Sequence, residues 1–329
     1  MKVKLPSARD VVSARKRIRD FVETTPVLTS SVIDNIAGAK VLIKAECLQQ
    51  TGSFKLRGAT NRLLQIPKKQ RDRGVVAFSS GNHAQGVARA ARRLGMPALI
   101  VMPSDAPSVK TEGVEADGAE VRLYDRNTEN REEIAASIAN ERGAVLVPSF
   151  DDPKIIAGQG TLGLEFAEQL KDRGEELDHL ICCTGGGGLI SGIALALSKV
   201  SPETQIWTAE PEGHEDWKRS LEQGSIVSNE PGTRSRCDAI LTPQPGELTW
   251  AIGSELLAGG CAISDQHVFE AMRIAFRQLR IVVEPGGAAA LAAAMFRLPE
   301  AAKGKTVGVV LTGGNVDPRF FADVLNRTV

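Results

Sequence analysis

What the chain lacks narrows it first. Its 40 basic and 40 acidic residues cancel, so no charge excess marks it for nucleic acid or an anionic membrane surface. The N-terminus has no apolar core of signal-peptide type, and no apolar run nears bilayer-spanning length. Cysteine is scarce and odd in number: Cys47, Cys182, Cys183, Cys237 and Cys261 are the five, and none forms a C-x-x-C pair. A disulfide scaffold is disfavoured on that count, and reduced core thiols in a cytoplasmic protein are expected. No internal repeat or low-complexity tract stands out.

What is present is a rhythm. The 329 residues suffice for two domains or one large α/β unit. Ser7 and Asp10 open a helix expected to run to Val22, and Thr24-Thr25-Pro26 ends it. Apolar strands at 41–43, 75–78, 98–102, 121–124 and 144–147 then alternate with helical patterns at 56–66, 82–94, 110–116 and 128–141. The second half repeats this, with helices at 155–170 and 189–199 and strands at 180–183, 205–209 and 307–311. Such alternation predicts an α/β protein with two open, mostly parallel sheets covered by helices. Residues 75–147 read as a smaller domain inserted between 1–74 and 148–329, which form the larger one. Residues 228–246, rich in Pro, Gly and polar side chains, read as a long functional loop.

Four strand-to-helix turns carry chemistry. In Thr51-Gly52-Ser53-Phe54-Lys55-Leu56-Arg57-Gly58-Ala59 the first three residues supply turn and N-cap chemistry, placing Lys55 in a first helical turn. A cation there opposes the helix dipole. Either Lys55 is solvated and tolerates a small cost, or it is not a cation and is held as a Schiff base to a carbonyl cofactor. Gly185, Gly186, Gly187 and Gly188, followed by Leu189, let several backbone N–H groups converge at a helix start, which is a phosphate cradle. A dinucleotide is the other ligand considered, because Gly186-x-Gly188 loosely matches a Rossmann fingerprint with Glu210 as ribose-binding acid; the spacing to Gly192 is off by one. Ser79, Ser80, Gly81, Asn82 and His83 form a turn suited to a carboxylate, with His83 by itself readable as a structural histidine. Thr312 ends the strand at 307–311, where open α/β sheets bind ligands, and Glu284 stands at a further helix start.

Taken in order, these turns resemble the fold-type-II pyridoxal-phosphate enzymes, in particular the serine/threonine dehydratase and serine racemase family, which is tryptophan synthase β-like. Ser53-Phe54-Lys55-Leu56-Arg57-Gly58-Ala59 resembles its Schiff-base motif, Ser79 to His83 its substrate loop, and Gly185 to Leu189 its phosphate loop. Ala157-Gly158-Gln159-Gly160-Thr161 and Thr312-Gly313-Gly314-Asn315 also fall in family order. The resemblance implies pyridoxal 5'-phosphate on Lys55, with Phe54 and Glu284 among its neighbours. It further implies Asn82 at the phenolic oxygen, Thr312 at the pyridine nitrogen and Ser80 as an acid on the opposite face. A homodimer is the family habit.

The expected reaction is β-elimination from a small 3-hydroxy amino acid, L-threonine or L-serine first, giving a 2-oxo acid and ammonia. Serine racemisation and hydroxyaspartate dehydration are the near alternatives; a non-catalytic relative and a nicotinamide oxidoreductase are the distant ones. The chain departs from the family at Pro148-Ser149-Phe150, where His-Pro-Phe is usual, and at Cys237-Asp238-Ala239, where Ala-Asp-Gly is usual. With little sequence after Asp317, the regulatory domain of feedback-controlled relatives is not expected. The resemblance also implies Mg²⁺ or Ca²⁺ between Glu210, the His214 carbonyl and Asp216, a hard all-oxygen set. The same acidic stretch reads equally as a solvated helix start.

Overall fold

Strands that are apolar along their length must be covered on both sides, and the ten strands among the described residues sort into two sheets whose inner members are of that kind. A computed structural model describes residues 4–106 and 108–328. The strands are β1 (Val27–Leu28), β2 (Lys40–Ala45), β3 (Val75–Phe78), β4 (Ala98–Pro103), β5 (Glu120–Tyr124), β6 (Val145–Leu146), β7 (His179–Cys183), β8 (Gln205–Pro211), β9 (Gly259–Ile263) and β10 (Thr306–Leu311). The larger sheet runs β1-β2-β10-β7-β8-β9, the smaller β5-β4-β3-β6. Every neighbouring pair is parallel except β1 with β2. β7 is buried along its whole length, as the Leu180-Ile181-Cys182-Cys183 run requires.

The Lys55–Leu64 helix lies against the Pro153–Asp172 helix at a glycine crossing. A Cβ on Gly158 would fall 2.6 Å from the Gly58 Cα, and one on Gly160 would fall 2.4 Å from the Gly192 carbonyl oxygen. Backbones this close admit no side chain, which accounts for Gly58, Gly158, Gly160 and Gly192 in otherwise helical segments. Arg57, fully buried, then ties this layer to its surroundings. Its guanidinium reaches Glu46 at 2.7 and 2.8 Å and Glu165 at 3.0 Å, while Lys44 Nζ donates to Glu165 at 2.6 Å.

Several expectations change. The first helix keeps its Ser7–Asp10 capping box but ends at Ile18. Lys55 does stand at a helix start, yet Thr51 and Ser53 do not cap it. Phe54 occupies the cap position, and Ser53 is extended because it pairs with Gly313 in an antiparallel bridge. Strands β1 and β9 and the helices Ser31–Ala37, Glu247–Leu256 and Asp265–Ile274 lay outside the sequence reading, and of Asp216–Gln223, Pro285–Phe296 and Pro318–Asn326 only the starts were marked. The Pro285–Phe296 helix shows why. It is alanine-rich and buried all round except at Phe296, so it carries no 3.6-residue alternation to detect. Residues 228–246 hold one short 3₁₀ turn, Asp238–Ile240. No helix among the described residues is long and apolar enough to cross a membrane.

Candidate active site

One cleft gathers the turns. Phe54, Lys55, Ser79, Ser80, Gly81, Asn82, His83, Gly185, Gly186, Gly187, Gly188, Leu189, Glu284 and Thr312 all line it. They arrive from both sheets, because each turn follows the carboxyl end of a parallel strand or stands beside one.

Lys55 is fixed through its main chain. The Asn82–Arg93 helix presses on it at Gly86, where a Cβ would meet the Lys55 carbonyl carbon at 3.1 Å. Its Nζ donates to the Ser149 carbonyl at 3.0 Å and stands 5.1 Å from the centre of the Phe54 ring. Burial lowers its pKa to about 8, with Glu284 pulling the other way. An amine so tuned is neutral in about one molecule in ten at pH 7, far more than an ordinary lysine, and in that form is a competent nucleophile and base.

The glycine loop is a set of donors with its acceptors turned away. The Trp217 indole N–H donates to Gly185 O at 2.8 Å, the Thr249 hydroxyl to Gly186 O at 2.6 Å, and Ser191 N–H to Gly187 O at 2.9 Å. Among the described residues, none of the N–H groups from Gly185 to Leu189 meets an acceptor. Gly187 sits at φ 91°, and a Cβ there would strike Trp217 at 2.2 Å; one on Gly186 would strike the Phe150 ring at 2.4 Å. Unanswered N–H groups at the start of the Gly188–Val200 helix are what a phosphate requires. The loop fits the phosphate of pyridoxal phosphate.

Opposite this loop, Asn82 donates to Glu284 Oε1 at 2.5 Å and accepts from Asn315 Nδ2 at 2.7 Å. Asn315 also donates to Thr51 O at 2.8 Å and Gln85 Oε1 at 3.1 Å, joining helix and loop across the cleft. Thr312 is buried, holds Phe54 N–H on its carbonyl at 3.2 Å, and its hydroxyl meets the Cys183 thiol. Ser79 Oγ accepts from Gly81 N–H at 3.2 Å, shaping the turn that presents Ser80. His83 is buried with Nε2 3.0 Å from Val147 O; burial, and then the Lys55 charge, push its pKa down to about 3.

Glu210, His214 and Asp216 lie outside the cleft lining. Glu210 is fully buried and accepts from Thr208 Oγ1 at 2.9 Å and from the N–H groups of Trp217 and Lys218 at 2.8 and 3.0 Å. It therefore stabilises the start of the Asp216–Gln223 helix and is not placed to bind a ribose. Asp216 accepts from Asn229 through Oδ1 at 2.7 Å, while its buried Oδ2 has no partner. Burial, then the Asp216 charge, raises the Glu210 carboxyl well above its ordinary range, and burial raises Asp216 to about 7. Two buried neighbouring carboxylates with an unanswered oxygen fit a hard dication completed by carbonyls and water. The His214 ring contributes nothing there; its Nε2 meets Thr233 Oγ1 at 3.1 Å. No group of three or more His, Cys, Asp or Glu side chains is arranged around a metal among the described residues.

Sequence reasoning missed Arg131, which lines the cleft mouth with its guanidinium 5.5 Å from the Phe78 ring centre. The signal was available. Arg131 opens a helix after the cap residue Asn130, so it is a first-turn cation like Lys55. Ser149, Asp238 and Asn315 also line the cleft without having been assigned a role.

A family model described as pyridoxal-phosphate dependent enzyme matches residues 18–313. The chain is 44% identical over 324 residues to the L-threo-3-hydroxyaspartate ammonia-lyase of Pseudomonas sp, spanning 98% of this chain and 99% of that protein. It is 39% identical over 323 residues to the serine racemase of Schizosaccharomyces pombe, spanning 98% of each. Among solved structures, maize serine racemase aligns with a TM-score of 0.92 at 36% identity, covering 99% of this chain and 98% of that one.

Proposed function

The chain belongs to the pyridoxal-phosphate dependent enzyme family, and from that premise we propose that it is an ammonia-lyase eliminating water from a small 3-hydroxy amino acid, with a 3-hydroxyaspartate placed ahead of L-serine and L-threonine. Arg131 carries the choice. Among the described residues Lys55 and Arg131 are the only Lys or Arg side chains lining the cleft, and Lys55 is the one suited to the cofactor. An arginine at the mouth is the group that recognises a second carboxylate, by a paired hydrogen bond that a methyl or hydrogen in its place cannot receive. The relatives named hydroxyaspartate ammonia-lyase in Pseudomonas sp and Saccharomyces cerevisiae support the same ranking.

When bound, pyridoxal phosphate supplies the electron sink that makes the Cα–H bond of an attached amino acid acidic. The chain's residues do the rest. The N–H groups of Gly185 to Leu189 would hold the phosphate, Lys55 would hold the cofactor carbonyl, and the Thr312 hydroxyl would serve the ring nitrogen. The helix start at Asn82 offers N–H groups to the α-carboxylate. Lys55, as a neutral amine, takes the Cα proton, and the 3-hydroxyl departs from Cβ. A hydroxyl at Thr312 in place of a carboxylate would give only a neutral hydrogen bond to the ring, which suits a reaction whose charge leaves with the hydroxyl. Racemisation is the second reading, favoured by Ser80, a hydroxyl in the same cleft that can return a proton to the other face of Cα. The buried Glu210–Asp216 pair would hold Mg²⁺ or Ca²⁺ away from the chemistry, ordering the segment that carries Trp217 to the glycine loop.

The test is a substrate panel. The holoenzyme is supplied with threo- and erythro-3-hydroxyaspartate, L-serine and L-threonine, and 2-oxo acid is measured alongside enantiomer formation. Hydroxyaspartate turnover leading by tenfold or more in kcat/KM supports the reading. Serine or threonine leading would return the first expectation, and D-serine as main product would establish the second reading.

A further inference from the structure

His83 and Lys55 hang from the same short piece of backbone. Val147 O is bonded to His83 Nε2 and Ser149 O to Lys55 Nζ, both at 3.0 Å. Pro148 stands between them, and a proline both fixes its own φ and drives the preceding residue toward extended backbone. The chain leaves β6 at Leu146 and bends at Ser149, presenting one carbonyl to His83 and the other to Lys55 within three residues. The segment is anchored at its start, where Val147 N–H donates to Val76 O at 2.9 Å in continuation of the β3–β6 pairing.

The bond to Val147 decides the tautomer of His83. A carbonyl can only accept, so Nε2 carries the hydrogen. The ring is buried and neutral, held so by desolvation and by the nearby Lys55 charge. Nδ1 is therefore a bare lone pair, and among the described residues it has no partner. A ring nitrogen in this state cannot donate to a substrate carboxylate. It can only accept.

Lys55 is near enough for its charge to bear on the ring, although its Nζ is not bonded to Nδ1 in this structure. A lysine that has just taken a proton carries three N–H bonds. Ser149 O answers one, and the face of Phe54 lies against the charge. We propose that, once protonated, Lys55 Nζ turns to give one of its two remaining hydrogens to His83 Nδ1, so that Val147-Pro148-Ser149 is a backbone rail from which the base and its proton-side acceptor both hang. His83 is on this account a positioning residue, acting through Lys55. The other titratable side chains lining the cleft among the described residues are Glu284, which favours the Lys55 cation, Asp238, Arg131 and Cys183, whose thiol burial pushes up to about 11. The inference rests on Lys55 being the reactive lysine. It also gives a use to Pro148-Ser149, the stretch where the sequence departs from its family.

The experiment reads Lys55 directly. The full chain freed of cofactor is pulsed with acetic anhydride across pH 6–10, and labelling of Lys55 is quantified by mass spectrometry. Wild type is expected to titrate near pH 8. His83→Gln can keep the bond to Val147 but offers nothing at Nδ1, so the charged form loses support and labelling at pH 7 rises about tenfold. His83→Asn places its side-chain oxygen where Nδ1 stood and stays within about threefold of wild type. A Gln variant titrating like wild type, or Gln and Asn moving together, overturns the proposal. Should neither variant fold, ¹⁵N spectra of wild-type histidine decide: an unprotonated Nδ1 that shifts as Lys55 titrates supports it, and a protonated or pH-independent Nδ1 overturns it. Borohydride reduction of the holoenzyme separates this outcome from failure of the functional reading, since cofactor found on another lysine removes the premise instead.

Discussion

Asn82 gives its side-chain amide to Glu284 across the cleft at 2.5 Å, joining residues 202 positions apart in the chain. The same side chain was expected to serve the cofactor's phenolic oxygen. Its Nδ2 has a second hydrogen for that purpose, but the first is spent on holding the two sides of the cleft together. Asn82→Asp sets a carboxylate against Glu284, and retention of pyridoxal phosphate on dialysis should fall at least tenfold. Adding Glu284→Gln restores a donor and should recover most of it. Failure of the double variant to recover would show that the bond does not govern retention.

Lys55→Ala should remove covalent cofactor and lower turnover by roughly 10³-fold or more, with thermal melting of the cofactor-free chain unchanged. Mass spectrometry after borohydride reduction checks the first part. Retained turnover would put the base elsewhere.

Arg131→Ala should cost about 10- to 100-fold in kcat/KM for a 3-hydroxyaspartate and less than about threefold for L-serine. Arg131→Lys should recover only part, because an ammonium lacks the planar fork that matches a carboxylate. Equal losses on both substrates would place Arg131 in the fold and not in recognition.

The Glu165 carboxyl is buried among Arg57 and Lys44. Burial alone would raise its pKa, but those cations outweigh it and hold it at about 2. The folded value lies below the unfolded one, so the stabilisation is complete above about pH 4.5 and is lost as pH falls toward 2. It amounts to ~3 kcal/mol. Glu165→Gln should therefore lower stability at pH 7 and flatten the acid side of the stability profile, followed by urea melts from pH 3 to 7. An unchanged acid slope would assign it to other carboxylates.

Mg²⁺ or Ca²⁺ should raise the melting temperature of the wild-type chain and chelator should lower it. Glu210→Gln keeps an oxygen at the helix start, yet should abolish the response. Identical chelator sensitivity in that variant would move the cation elsewhere.

Much of the site was legible because each of its turns follows one physical rule: small residues between an apolar strand and a helix. Lys55, Ser80 and Gly185 to Gly188 announce themselves by type and place. Arg131 obeyed the rule that drew attention to Lys55 and was passed over because no cluster of small residues surrounds it. Trp217 and Thr249, which turn the glycine carbonyls away, reach the loop from distant helices, and no local pattern encodes such an approach. The glycine crossing was read only as family order, since its cause is a partner backbone invisible from either helix alone.

The larger sheet is assembled out of order in time. β10 lies between β2 and β7, yet of its six strands it leaves the ribosome last. The smaller sheet has all four strands by Leu146 and can close early. The stretch from Cys183 to Thr306 takes on the order of ten seconds to synthesise. Throughout that interval β2 and β7 each present an unpaired apolar edge, the kind of surface that recruits other chains. A message cut short before Leu311 would leave both edges open for good. Such a product should behave as a chaperone client or an aggregate, however complete its cofactor-binding residues.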